Sequence, residues 1–160
     1  MVIVLMGVTG SGKTVVGELL ARELEWEFYD GDDFHPRANV EKMASGVPLT
    51  DEDRFPWLHL LAAQIEDWVD RGGQVILACS ALKAIYREVL VCRSEVSLVH
   101  LQGSIELISQ RLEERVHRYM PSSLLTSQFA TLEEPDDALK INIRPAPEVI
   151  VGEIREKLGI

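Results

Sequence analysis

One glycine-rich stretch near the start constrains the fold more than any other feature. Gly7-Val8-Thr9-Gly10-Ser11-Gly12-Lys13-Thr14 fits the pattern G-x-x-x-x-G-K-[ST] at every defined position. The apolar, β-branched run Val2–Met6 precedes it and reads as a buried parallel strand. From Lys13 to Glu25, Val16, Leu19, Leu20 and Leu24 recur at helical spacing. Glycine weakens strands and helices alike, so its repetition at a strand-to-helix junction serves another end. Successive backbone N–H groups can curl around phosphate oxygens there, and the helix N-terminus adds partial positive charge. Lys13 then reaches the β- and γ-phosphates and Thr14 ligates Mg²⁺; Gly7, Gly10, Ser11, Gly12 and Val15 complete a site for ATP. A glycine turn with an accidental lysine is the competing reading, and the flanking strand and helix count against it.

The alternation of strand and helix continues. Glu27–Tyr29, Gln74–Cys79, Val96–Leu101 and Lys140–Ile143 read as further strands. Leu58, Leu61, Ile65, Trp68 and Val69 mark a helix ended by Gly72-Gly73. Ala81–Leu90, Ser104–Glu114 and a closing stretch with Val149, Ile150, Ile154 and Leu158 read as helices too. Asp30 to Pro56 is rich in Asp, Gly and Pro and reads as largely loop with one short helix. This order predicts an α/β fold with a parallel sheet covered on both faces, and ligands at the carboxyl ends of the strands.

The formal net charge is -10, which argues against nucleic acid as a partner. It does not exclude a small anion held by local arginines. No apolar run approaches the roughly 20 residues of a membrane helix, and Val2–Met6 lacks the flanks of a secretion signal. Cys79 and Cys92 fit neither a disulfide framework nor a zinc cluster and read as thiols of a reducing cytosol. The strand "VILA" runs into Cys79-Ser80 without the acid that commonly helps hold Mg²⁺, so that carboxylate is expected from "YDGDDFHP". No N-K-x-D guanine-reading segment is present.

Residues 29–58 carry a far more specific pattern. D-G-D-x-x-H-P begins at Asp30, and N-x-x-K-M-x-x-G-x-P-L-x-D-x-D-R-x-P-W-L follows from Asn39. Together with "CSALKAIYREVL", "LVHLQGSIELISQRLEER" and "LLTSQFATLEEP", this closely resembles the gluconate kinase (gluconokinase) family of small P-loop kinases. The resemblance spans residues 2 to about 137. It implies phosphorylation of D-gluconate by ATP to 6-phosphogluconate, feeding the pentose phosphate pathway. It implies a three-layer α/β/α nucleoside-kinase-like fold, one kinase domain over residues 1–160 with a helical lid at about 112–124. It also implies a family usually cytoplasmic and often dimeric, so a homodimer is one expected assembly.

The site residues follow with chemical reasons. A primary hydroxyl must lose its proton as it attacks phosphorus, and a carboxylate beside it can accept that proton. Asp32 is assigned this role; Asp30, two residues away on the same side of an extended stretch, lies nearer Mg²⁺. A sugar acid needs a cationic fork and several polar groups. Arg54 and Arg87 are the expected carboxylate and hydroxyl binders, with His35 and Lys83 as further members of the pocket. His59, His100, Trp57 and Trp68 read as structural. In the lid, Arg111 is expected on the adenine side, and Arg115 or Arg118 on phosphate, with Arg118 catalytic. The family pattern R-x-G-H-F appears here as "RVHRY", with His117 and Arg118 in place of glycine and histidine. Two other readings remain open. One is a kinase acting on shikimate or another sugar acid, although "ACSALK" lacks the glycine-rich triplet usual in shikimate kinases. The other is a non-catalytic ATP sensor whose lid changes a partner surface.

Overall fold

The computed structural model of the chain describes residues 1–114 and 122–160. In chain order they form β1 (Val2–Met6), α1 (Lys13–Leu24), β2 (Glu27–Asp30), a 3₁₀ turn (Gly31–Phe34), α2 (Arg37–Ala44), α3 (Asp51–Asp70), β3 (Val75–Ala78), α4 (Ala84–Leu90), β4 (Val96–Gln102), α5 (Ile105–Glu113), α6 (Ser122–Thr131), β5 (Leu139–Asn142) and α7 (Pro147–Leu158). The five strands form one sheet in the order β2-β3-β1-β4-β5, and every pair is parallel. The expected three-layer α/β/α architecture around a parallel sheet is therefore present.

The alternation of side chains along β1 divides the core in two. Ile3 and Leu5 point to one face with Ile76, Val99 and Leu101, where Val16 and Leu20 of α1, Ile108 and Leu112 of α5, Leu125 of α6 and Ile150, Val151 and Ile154 of α7 pack. Val2, Val4 and Met6 point to the other with Val75, Leu77 and Leu98, under Trp57, Leu58, Leu61, Ile65 and Trp68 of α3 and Tyr86 and Leu90 of α4. Burial on both faces explains why β1 is apolar throughout rather than alternating.

Three expectations change. Residues 30–56 are not mainly loop: they hold the 3₁₀ turn, α2 and the start of α3. The helix α3 begins at Asp51, ahead of Pro56, because Thr50 and Asp53 form a reciprocal capping box. Thr50 Oγ1 accepts from the Asp53 N–H at 3.1 Å and Asp53 Oδ2 accepts from the Thr50 N–H at 2.9 Å. Pro56 then lies in the second turn, where it removes one backbone donor without ending the helix. The helix α4 begins at Ala84 rather than Ala81, since Ala81 has a left-handed backbone (φ 46°). Finally, α6 is a helix that the sequence pattern did not indicate. Among the described residues no helix is long and apolar enough to cross a membrane.

Candidate active site

The candidate chemical groups gather at the carboxyl edge of the sheet, where this topology leaves a crevice. The loop after β1 needs its glycines. Gly7, Gly10 and Gly12 have φ of 152°, 82° and 93°, a region that other residues rarely adopt. A Cβ on Gly7 would stand 2.7 Å from Ser11 Oγ and 2.9 Å from the Leu101 carbonyl oxygen, so the cradle has no room for one. Ser11 Oγ is buried and has no hydrogen-bond partner among the described residues. An orphaned hydroxyl in a glycine cradle at the head of α1 fits a phosphate oxygen. Lys13 Nζ donates to the carbonyls of Gly7 at 2.9 Å and Val8 at 3.1 Å. Burial pulls its ammonium below the usual lysine range, while Cys79, Asp32 and Asp30 work the other way. Burial also pushes the Cys79 thiol up to about 12, so it stays neutral and the two aspartates are the effective anions. Thr14 and Val15 are exposed in the first turn of α1. The Thr9 N–H donates to Gln128 Oε1 of α6 at 2.6 Å.

The acidic turn follows β2. It is not extended, as the sequence suggested. Asp30 caps the 3₁₀ turn and accepts the Asp32 N–H at 3.0 Å. Burial raises the Asp30 carboxyl above its ordinary range. Asp32 moves the other way, chiefly because His35 donates toward it. His35 Nε2 lies 3.7 Å from Asp32 Oδ1, and the imidazole is 4% exposed while the carboxylate is 81% exposed. The ring stacks on Trp57 with centroids 4.2 Å apart. Asn39, buried on α2, sets its tautomer. The Asn39 amide nitrogen donates to the Asp53 carbonyl at 2.9 Å and faces His35 Nδ1 at 3.3 Å. With the amide assigned by its bond to Asp53, Nδ1 must accept, which leaves the His35 proton on Nε2, toward Asp32. Trp57 Nε1–H donates to the Gly31 carbonyl at 2.7 Å and holds the other side of the turn. His35 was expected to touch substrate; its ring instead lies against Trp57 and supports Asp32.

Between the start of α3 and the loop after β3 lies a charged cluster. Lys83 Nζ donates to both Asp51 carboxylate oxygens, at 3.1 and 3.0 Å. The Tyr86 hydroxyl donates to Asp51 Oδ1 as well. Arg54 Nη1 donates to the Leu49 carbonyl at 2.7 Å and stands 3.9 Å from Asp51 Oδ1. Arg54 and Lys83 both lie over the Tyr86 ring, at 5.8 and 5.7 Å. The Tyr86 and Lys83 bonds hold the Asp51 carboxyl below the usual carboxylate range, and Asp51 in turn raises Lys83. The structure thus brings Arg54 and Lys83 together. Arg87 is used differently. Its side chain is buried, and Nη1 donates to the carbonyls of Ala81 and Leu82, both at 2.9 Å. Left-handed Ala81 turns those carbonyls inward, so Arg87 braces the loop rather than offering an open fork.

On the other side of the glycine loop is a cavity of about 420 Å³ lined by Gly10, Val15, Arg111, Arg144, Pro145 and Pro147, among others. Arg111 Nη2 donates to the Ile143 carbonyl at 2.6 Å, which fixes the guanidinium at the rim. Arg115 and Arg118 lie outside the described residues. Sequence reasoning missed Asn39, Asp51, Tyr86 and the 144–147 segment. The usable signals were the T-x-x-D capping box before Arg54 and the Arg-Pro-Ala-Pro run between a strand and a helix. No group of three or more His, Cys, Asp or Glu among the described residues could hold a metal alone. A hydroxyl and a carboxylate from Thr14 and Asp30 fit a Mg²⁺ that takes its remaining ligands from phosphates and water.

Comparison with known proteins bears on the family and the fold. Residues 9–134 match the family model described as shikimate kinase. A probable gluconokinase of Xenopus tropicalis is 46% identical over 96% of this chain and 91% of its own length. The crystal structure of a sugar kinase from Janibacter superposes with a TM-score of 0.88 at 43% identity, covering 99% of this chain and 94% of that one. That of a gluconokinase from Sinorhizobium meliloti gives 0.81 at 36% identity, covering 98% and 94%.

Proposed function

The chain belongs to the gluconokinase family of P-loop kinases, and from that premise we propose how its residues divide the work of phosphorylating D-gluconate with ATP. The glycine loop, Ser11 and Lys13 bind the β- and γ-phosphates, and Arg111 with residues 144–147 encloses the adenine end. Thr14 and Asp30 would hold Mg²⁺, which when bound offsets phosphate charge. Arg54 and Lys83 take the gluconate carboxylate. Asp32 orients the primary hydroxyl at the far end and accepts its proton during transfer. His35, Asn39 and Trp57 keep Asp32 in place. Lys13 leaves the carbonyls of Gly7 and Val8 to meet phosphate. The reading keeps one kinase domain, with a lid at about 112–124 in which Arg115 and Arg118 add charge over the phosphates. It also keeps cytoplasmic placement and a homodimer as parts of the proposal.

The observation that best supports this division is an exposed Asp32 carboxylate after one strand, 3.7 Å from His35 Nε2, with Arg54 and Lys83 gathered around Asp51 beside the next. The test is ADP formation with Mg-ATP over D-gluconate, shikimate, other aldonates and nucleoside monophosphates, with Asp32→Asn alongside. Turnover on gluconate, lost in the variant, is the expected result. Turnover on shikimate instead would move the acceptor assignment. ATP binding without turnover on any acceptor would favour the sensor reading.

A further inference from the structure

Asp51 does not belong in a carboxylate-binding fork on charge grounds alone. An anion between Arg54 and Lys83 competes with the anionic end of the substrate, so its presence needs a reason. The hydrogen bonds supply one. A carboxylate offers about four lone-pair positions. Lys83 takes one on each oxygen, and the Tyr86 hydroxyl takes a second on Oδ1. Arg54, at 3.9 Å, is too far to take another. One position on Oδ2 remains, and the Asp51, Lys83 and Arg54 side chains are each about a third exposed (33%, 32% and 33%). Tyr86, buried at 4% exposure, locks the carboxylate from below. The cluster therefore presents two cations and one fixed acceptor at the same accessible spot.

A sugar acid presents the complementary set: a carboxylate, and on the next carbon a hydroxyl whose proton needs an acceptor. We infer that Asp51 is a specificity-determining residue, which accepts the hydroxyl adjacent to the substrate carboxylate while Arg54 and Lys83 hold the carboxylate itself. This rests on the reading that Arg54 and Lys83 form the carboxylate fork. A site built to bond a hydroxyl discriminates against an analogue lacking it, because one acceptor position of a partly covered carboxylate is then left without its donor. For one charged hydrogen bond the discrimination is roughly 10- to 100-fold.

The test compares kcat/KM for D-gluconate and 2-deoxygluconate at saturating Mg-ATP, in the wild type, Asp51→Ala and Asp51→Asn. The wild type should favour gluconate by roughly 10- to 100-fold. In Asp51→Ala the ratio should fall close to one, because only gluconate loses an acceptor, while any change in Lys83 acts on both acids alike and cancels in the ratio. Asp51→Asn, which keeps an acceptor oxygen, should keep part of the preference. A ratio within one variant does not depend on how much of the protein is folded. An Asp51→Ala ratio equal to that of the wild type overturns the inference and leaves the fork intact. Arg54→Ala and Lys83→Ala should raise KM for both acids alike. If neither variant changes KM for either acid, the fork reading fails and the inference falls with it.

Discussion

At Lys13 the chain holds its proposed phosphate-binding cation against its own loop. Two carbonyls, of Gly7 and Val8, satisfy an ammonium that burial would otherwise penalise, so the loop keeps its shape with the lysine in reserve. Asp32 is arranged differently. Its carboxylate is exposed, but the group beside it is fixed by a stack and an amide, so its direction is set without being covered. Asp32→Asn keeps the size and loses the base. We expect kcat on gluconate to fall by about 10² to 10⁴ with a smaller change in KM, measured by coupled ADP release. His35→Ala should lower kcat less than Asp32→Asn, and His35→Gln, which can still donate toward Asp32, should recover part of the loss. Equal kinetics for His35→Ala and the wild type would remove the positioning role. Gly7 tests the cradle itself. Alanine there meets both a disfavoured φ and the Leu101 carbonyl oxygen, so Gly7→Ala should destabilise by about 1–3 kcal/mol and weaken ATP binding, read by thermal unfolding and calorimetry.

Two short-range devices join α2 to α3 at the element scale. One is the Asn39 amide on the Asp53 carbonyl; the other is Lys42 Nζ on Asp53 Oδ2 at 2.7 Å. Lys42 and the Thr50 N–H lower the Asp53 carboxyl to about 2. A carboxyl depressed in the folded state contributes stability that is fully present above its unfolded value, near 4, and is lost as pH falls through about 2. Lys42→Met should therefore lower Tm at pH 5–7, and the gap from the wild type should close as pH approaches 2. A gap independent of pH would show that Lys42 acts through packing alone. These elements also mark where the sequence was legible. The strands β1 and β3 carry continuous apolar runs and α1 a helical stripe because each is buried against a layer. The helix α2 buries only Asn39, and α6 buries Leu125 as its sole large apolar side chain at core depth, so neither has a stripe to read. Pro56 hid the first turn of α3. Within the candidate site, Lys13, Asp30, Asp32, Arg54 and Lys83 are singled out by motif or charge. Asp51 and Tyr86 meet only through a contact 35 residues apart, and no local pattern announces it.

Across the whole molecule, the proposed nucleotide and acceptor groups come from the segments after β1, β2, β3 and β5, from the start of α3 and from the end of α5. With strand order β2-β3-β1-β4-β5 and only parallel pairs, the full set of these segments comes together only in the assembled sheet. ATP should then bind the folded chain alone, and at a hundredfold excess over Kd it should add about 2.7 kcal/mol to global stability. A Tm that does not respond to ATP would contradict this whole-fold dependence. The stack of His35 on Trp57 has an optical consequence. An indole 4.2 Å from an imidazole, and hydrogen-bonded through Nε1 to the carbonyl of Gly31, is a built-in fluorophore at the turn that carries Asp32. Its emission should shift when an acceptor sugar settles on Asp32. Trp57→Phe, with Trp26 and Trp68 left in place, would identify the share of the signal that belongs to this turn. On the proposed assignment, acceptor binding would then be read from the protein's own indole, without an added dye.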